Sequence, residues 1–168
     1  GLISKLEFLK YIKKYLLNPN LEHLFVSSWG KLFSTSIIFK NKILFNKKMS
    51  QFEDIEFNFK FMMYAHKLKY INKALYLHNI SLGIDVLDSA TMGKNGNVYD
   101  MFSFTHALRY LNLYLKKIDP KKNYDQLLSH CKFVYSVIYL IRTSLRIRSI
   151  FSFCKVLKDI RKIFKKNN

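Results

Sequence analysis

Glu53 and Asp54 stand side by side at the head of "MSQFEDIEFNFKFMMYA" (Met49 to Ala65), where bulky apolar residues follow almost without a break. The whole chain holds only 11 acids, so an adjacent pair invites explanation. Such a pair can cap a helix, or one carboxylate can take a proton from a reacting hydroxyl. A positioned general base within hydrogen-bond reach contributes ~10²–10⁴-fold. Ser50-x-x-Glu53 has the spacing of a capping box, in which the hydroxyl and the carboxylate satisfy free backbone N–H groups reciprocally. That accounts for Glu53 and leaves Asp54 with ~0.3–1 kcal/mol from the helix dipole. Periodicity alone favours the structural role for both.

Other chemistry-bearing residues are sparse. Trp29 is the only tryptophan and is followed by Gly30 and Lys31. His78 closes "ALYLH", and a lone histidine at a strand end is more often structural than a ligand. His23, His66, His106 and His130 lack ligand spacing. Cys131 and Cys154 lack a Cys-x-x-Cys arrangement, which fits unpaired, buried thiols in a reducing cytosol. The sequence contains neither an Asp-x-Asp nor a glycine-rich phosphate loop.

The elements that must position these residues are mostly helical. The 168 residues suffice for one domain with a real core, and 16% aromatic content with 49% apolar residues argues against disorder. Five Gly and two Pro speak against a hairpin-rich fold. Leu2, Leu6, Leu9, Ile12 and Leu16 recur at helical spacing up to Pro19. Ser27 or Ser28 can cap a short turn carrying Trp29, Ser34 to Lys40 reads as a helix, and residues 41 to 49 read as irregular. Gln51 to His66 is the clearest helix, apolar on both faces. Lys67 to Ile71 and Ala74 to Ile80 read as two short strands, and the glycines at 83, 93 and 96 mark a loop. Asn97 to Lys117 is a long helix. Asp119-Pro120 opens the next, to about Arg142, and a last helix covers about Ile150 to Phe164. No apolar run reaches the ~20 residues of a spanning helix.

In order along the chain stand Trp29-Gly30-Lys31-Leu32-Phe33, Ile43-Leu44-Phe45, Glu53-Asp54 with Phe57, Lys69-Tyr70-Ile71 and Ala74-Leu75-Tyr76-Leu77-His78. These five blocks, preceded by "SKLEFLKYI", resemble the second half of a family-2 glycosyltransferase catalytic domain of the GT-A fold, over about Ser4 to Ser81. The resemblance implies inverting transfer of a sugar from a nucleotide-sugar donor to a glycan or lipid-linked acceptor. It implies Asp54 as general base beside Glu53, and Trp29 and Lys31 at the acceptor, where an indole face can stack on a sugar ring. A divalent metal, Mn or Mg, is implied for the intact enzyme, with His78 as a weak candidate ligand; the family more often has Tyr-Arg where this chain has His78-Asn79. The family's donor-binding half has no counterpart here. The expectation is therefore a partial enzyme, inactive alone, of the kind that builds bacterial lipopolysaccharide or capsule.

The expected fold class is α+β and helix-dominated: residues 1–82 as the acceptor-side part of a GT-A-like domain, 83–96 as a loop, and 97–168 as a C-terminal helical region with a basic amphipathic tail. Arg142 to Asn168 holds nine basic residues against Asp159. Ile150, Phe153, Cys154, Leu157, Ile160 and Phe164 form an apolar stripe opposite most of that charge, the pattern of a helix lying on an anionic membrane. Arg146, Arg148, Lys155, Lys158 and Lys162 are its candidate membrane contacts, each worth ~1 kcal/mol near such a surface. A helix docked on the domain with a solvated charged face fits the stripe nearly as well. The formal net charge of +18 favours an anionic partner. A nucleic acid ranks third, since no recognised binding module occurs. The expected location is cytoplasmic, peripheral on the inner face of the membrane. The alternative from another class is a non-catalytic basic helical module that binds an anionic membrane or a nucleic acid.

Overall fold

Ser4 starts the first helix with a complete capping box: its hydroxyl takes the Glu7 N–H, and the Glu7 carboxylate takes the Ser4 N–H at 2.8 Å. The helix, α1 (Lys5–Leu17), stops at Asn18-Pro19 because proline cannot continue the ladder. It is followed by α2 (Thr35–Lys40), α3 (Glu53–Met62), α4 (Val98–Ile118) and α5 (Asp125–Ser144). The structure is a computed structural model and describes residues 1–19, 25–49, 51–77 and 98–144, with helical residues at 154, 157, 158, 160 and 161.

The architecture is helix-dominated. In α4 the buried residues Met101, Phe104, Leu108, Leu111 and Leu115 recur at spacings of three and four, one continuous stripe. Helix α3 lies against α4, α1 against α5, and α4 against α5. The main core gathers Phe8, Ile12 and Leu16 of α1, Ile55, Phe59 and Met62 of α3, the α4 stripe from Phe104 onward, and Leu128 and Cys131 of α5. Two satellites flank it: Met101 with Tyr139, and Ile43 with Phe57 and Phe61. Every face of α3 is thereby covered or polar-bonded, as its two apolar stripes predict.

The structure departs from the sequence reading in several places. Helix α3 is shorter than Gln51–His66. The two strands do not form among the described residues. Instead, Leu2 and Lys69 make a single antiparallel bridge, fastened by Ile3 N–H to the Leu68 carbonyl at 2.9 Å and Tyr70 N–H to the Gly1 carbonyl at 2.8 Å. Residues 74–77 carry no strand, and an isolated pair of short strands is marginal without further partners. Asp119-Pro120 does not open α5. Asp119 N–H closes α4 on the Leu115 carbonyl, and its carboxylate takes the Tyr124 hydroxyl at 2.7 Å. The start of α5 is set by Asn123, whose side-chain oxygen takes the Asp125 N–H at 2.7 Å. Lastly, both cysteines are free as expected, but only Cys131 is buried; Cys154 is exposed. Burial pushes the Cys131 thiol up to about 12.

Candidate functional site

Asp54 is the second residue of α3, and Asn58 lies one turn further along the same face. Both reach the loop that carries Trp29. Asp54 Oδ1 accepts the Ser28 hydroxyl at 2.5 Å. Asn58 is fully buried, and its amide nitrogen faces the carbonyls of Phe25, Val26 and Ser27 at 3.2, 2.8 and 2.9 Å. One polar face of the helix thus holds the loop by side chain and backbone together. Its Oδ1 meets no donor among the described residues, which makes this anchor a costly one. Ser28 therefore binds Asp54, and the expected role of Ser27 or Ser28 as a cap for the Trp29 turn is not the one taken.

Beyond Ser28 the loop reverses at Gly30, whose φ of +68° favours a residue without Cβ. The reversal sends the Lys31 ammonium back to the Ser27 carbonyl and lays the Trp29 indole on Tyr76, with ring centroids 5.6 Å apart at 20°. Trp29 remains 45% exposed and Tyr76 53%, so the paired rings keep open surface for a planar or ring-shaped ligand. Burial lowers the Lys31 ammonium to about 8, against the opposing pull of the Asp54 charge. Near neutrality Lys31 is a charged group close to its titration point, beside a carboxylate.

Glu53 does not belong to a capping box. The residue before α3 is Phe52, in the left-handed region at φ +65°, and among the described residues no side chain caps the helix. Glu53 is the first helical residue, too early for the third-position role. Ser50 lies outside the described residues. The left-handed conformation costs a phenylalanine ~1–2 kcal/mol. It is held by ring packing on Phe104 and Tyr135, each 5.0 Å between centroids. Backbone strain of this kind collects at functional sites, and here it sets the direction in which Glu53 and Asp54 enter the helix. Burial raises the Glu53 carboxyl, a hydrogen bond from its own backbone N–H lowers it, and the Asp54 charge beside it raises it.

Asp54, Glu53, Trp29 and Lys31 are thus brought together from two segments about 25 residues apart in sequence. His78, Arg146, Arg148, Lys155 and Lys162 lie outside the described residues. Lys158 is exposed, with Cys154, Leu157 and Arg161 also facing solvent at least in part, while Ile160 packs on the Met101–Tyr139 cluster. Among the described residues no group of three or more His, Cys, Asp or Glu could hold a metal ion. Around Asp54 stand the Glu53 carboxylate, the Ser28 hydroxyl and the Lys31 ammonium, and that ammonium competes with a divalent cation for the same negative charge. No helix among the described residues is long and apolar enough to cross a membrane.

Sequence reasoning passed over three participants. Asn58 was visible as a lone amide four residues after Asp54 in an apolar helix. Tyr76 had no local signal, because its value comes from packing on Trp29. The third is Glu56, 2% exposed, which binds Lys60 one turn on, Asn46 at 3.1 Å and His106 of α4 at 3.3 Å. That knot faces α4, away from the loop, and serves to tie the two helices. Set against known proteins, the chain matches no family model, no curated protein and no solved structure.

Proposed function

We propose that this chain is the acceptor-side and C-terminal part of an inverting, family-2-like glycosyltransferase, with Asp54 as the general base. The observation that carries the reading is the closure of the Ser28–Trp29–Gly30–Lys31 loop onto the Asp54 face of α3. A base carboxylate, an oriented aromatic surface and a cation meet there, as acceptor activation requires.

Ser28 holds Oδ1 of Asp54, and Oδ2 is the oxygen that takes the proton. The acceptor hydroxyl gives its proton to Asp54 as its oxygen bonds to the anomeric carbon of the donor. The bond from that carbon to the diphosphate breaks on the opposite face, the nucleoside diphosphate leaves with the electron pair, and configuration inverts. The Trp29–Tyr76 stack receives the acceptor ring. Lys31 supplies a nearby positive charge, and Glu53 lines the same helix end. The nucleotide-sugar site belongs to a donor-binding half that no stretch of this chain resembles, so turnover needs that half. A divalent metal, where one serves the reaction, belongs there too, since the Lys31 ammonium competes with one at Asp54. The α+β GT-A class of the notional whole domain is part of the same proposal. The basic tail is assigned to an anionic inner membrane surface, with exposed Lys158 and Arg161 as its described contacts.

The test is Asp54→Asn in the gene product that carries this chain. The fold should be unchanged by circular dichroism and sugar transfer should fall ~10²–10⁴-fold. Retained turnover would remove Asp54 from the mechanism. A non-catalytic membrane-binding module is the second reading, supported by the net charge of +18; it requires that no nucleotide-sugar be consumed by any form of that gene product.

A further inference from the structure

Residues 31–49 close over the side of α3 that carries Phe57 and Phe61. Phe33, Ile37, Ile38 and Ile43 pack inward on those rings, and Phe45 stacks on Phe57 at 4.1 Å. The other side of the same segment is also apolar. Leu32 is 97% exposed, Phe39 79% and Leu44 71%. Side chains this open, carried on segments that meet at one phenylalanine, leave hydrophobic surface in water without benefit to the fold.

Charge says what covers them. From His23 to Phe52 the sequence has no Asp or Glu, and Lys40, Lys42, Lys47 and Lys48 are exposed. A second copy of a chain at +18 would bring like charge against these lysines. A nucleic acid would engage the lysines and leave the leucines in water. An anionic bilayer accepts both: headgroups pair with the ammonium groups while the acyl boundary receives the apolar side chains.

We propose that Leu32, Phe39 and Leu44, together with the exposed lysines at 40, 42, 47 and 48 of the same segment, form an anionic-lipid docking face that inserts into the headgroup–acyl boundary. This face is separate from the C-terminal tail and does not rest on the glycosyltransferase reading. Leu32 is three residues from Trp29, so docking brings the Trp29–Tyr76 rings close to the lipid surface.

The experiment is co-sedimentation of the full chain with phosphatidylcholine vesicles, with and without phosphatidylglycerol. The wild-type chain should bind the anionic vesicles and retain part of that binding when salt is raised, because insertion is not screened. The triple variant Leu32→Ser, Phe39→Ser, Leu44→Ser should keep its circular dichroism spectrum and lose at least about tenfold in partitioning. Replacing the four lysines by Gln should weaken binding at low salt by roughly fivefold per residue at most. Trp29 gives a second readout: acyl-brominated phosphatidylglycerol should quench its emission in the wild-type chain. Binding by the triple variant equal to wild type would overturn the proposal in favour of the tail alone. So would a concentration-dependent wild-type dimer that the triple variant abolishes while vesicle binding is unchanged. Retained binding without Trp29 quenching would overturn it as well.

Discussion

Residues 25–77 and the α4–α5 pair solve the same problem in different ways. The α4–α5 pair buries its stripes on each other and on α1 and α3, and among its described residues the most exposed large apolar one is Phe133 at 59%. In residues 25–77, Leu32, Phe39, Leu44, Leu75 and Leu77 are all above 70%. That region also contains the three residues with positive φ among those described, Gly30, Lys42 and Phe52. One half completes its own burial with regular backbone. The other spends strain and exposed surface on presenting groups, which is the usual division between scaffold and site.

The largest effect that would break this contrast lies in the scaffold. Phe104 is fully buried between Phe52 and Tyr135, and Phe104→Ala should cost about 3–5 kcal/mol in urea unfolding. The same measurement on Leu32→Ala should change stability by less than about 0.5 kcal/mol. Equal losses would mean that the exposed leucine is packed in solution. Next comes the join between the halves. Asn58→Ala frees three loop carbonyls and should cost about 1–3 kcal/mol. Amide exchange should quicken in residues 25–31 more than in α4; uniform quickening would show that the loop is not separately held.

Smaller effects come from the charges. Glu53 has a folded-state carboxyl raised above its usual value, chiefly by burial. Its ionised form is therefore disfavoured in the folded protein, a cost absent in acid and fully present once the pH passes the raised value. Glu53→Gln should make the protein more stable at neutral pH, and the gain should vanish as the pH falls below the ordinary carboxylate range. A gain that persists in acid would assign the effect to packing. The smallest signal is the Lys31 titration, expected with a midpoint of about 8 against the ordinary 10.5 and readable from its side-chain carbon resonances. A lysine charged in solution but held below its usual value gains folded stability as the pH rises from about 8 towards 10.5. A midpoint at the ordinary value would mean that Lys31 lacks the burial that lowers it.

Local grammar explains which parts of this were legible. The end of α1 at Asn18-Pro19, the helix at 35–40 and the long helix α4 follow from proline chemistry and from stripes of period 3.6. Those signals concern neighbours within a few residues. Asp119-Pro120 misled because the same pair can end one helix or open another; the choice was made by the Leu115 carbonyl and the Tyr124 hydroxyl. Ser50-x-x-Glu53 misled because Phe104 and Tyr135, from α4 and α5, hold Phe52 in a conformation that moves the helix start to Glu53. Strand formation needs a partner, and among the described residues 68–70 pair only with the first three residues of the chain; residues 78–80 of the second expected strand lie outside the described residues.

By itself the sequence determined the helix-dominated class, the basic surface and the pair Glu53-Asp54 as the place to look. Composition and periodicity are properties of short stretches and survive any fold. Tertiary structure decided the rest. Only chain closure could put Ser28 on Asp54, Asn58 on three loop carbonyls and Trp29 on Tyr76, because each of these contacts joins residues 26 to 47 positions apart. Hydrogen bonds and ring stacking act over a few ångströms, and no local pattern records which distant segments will come that close.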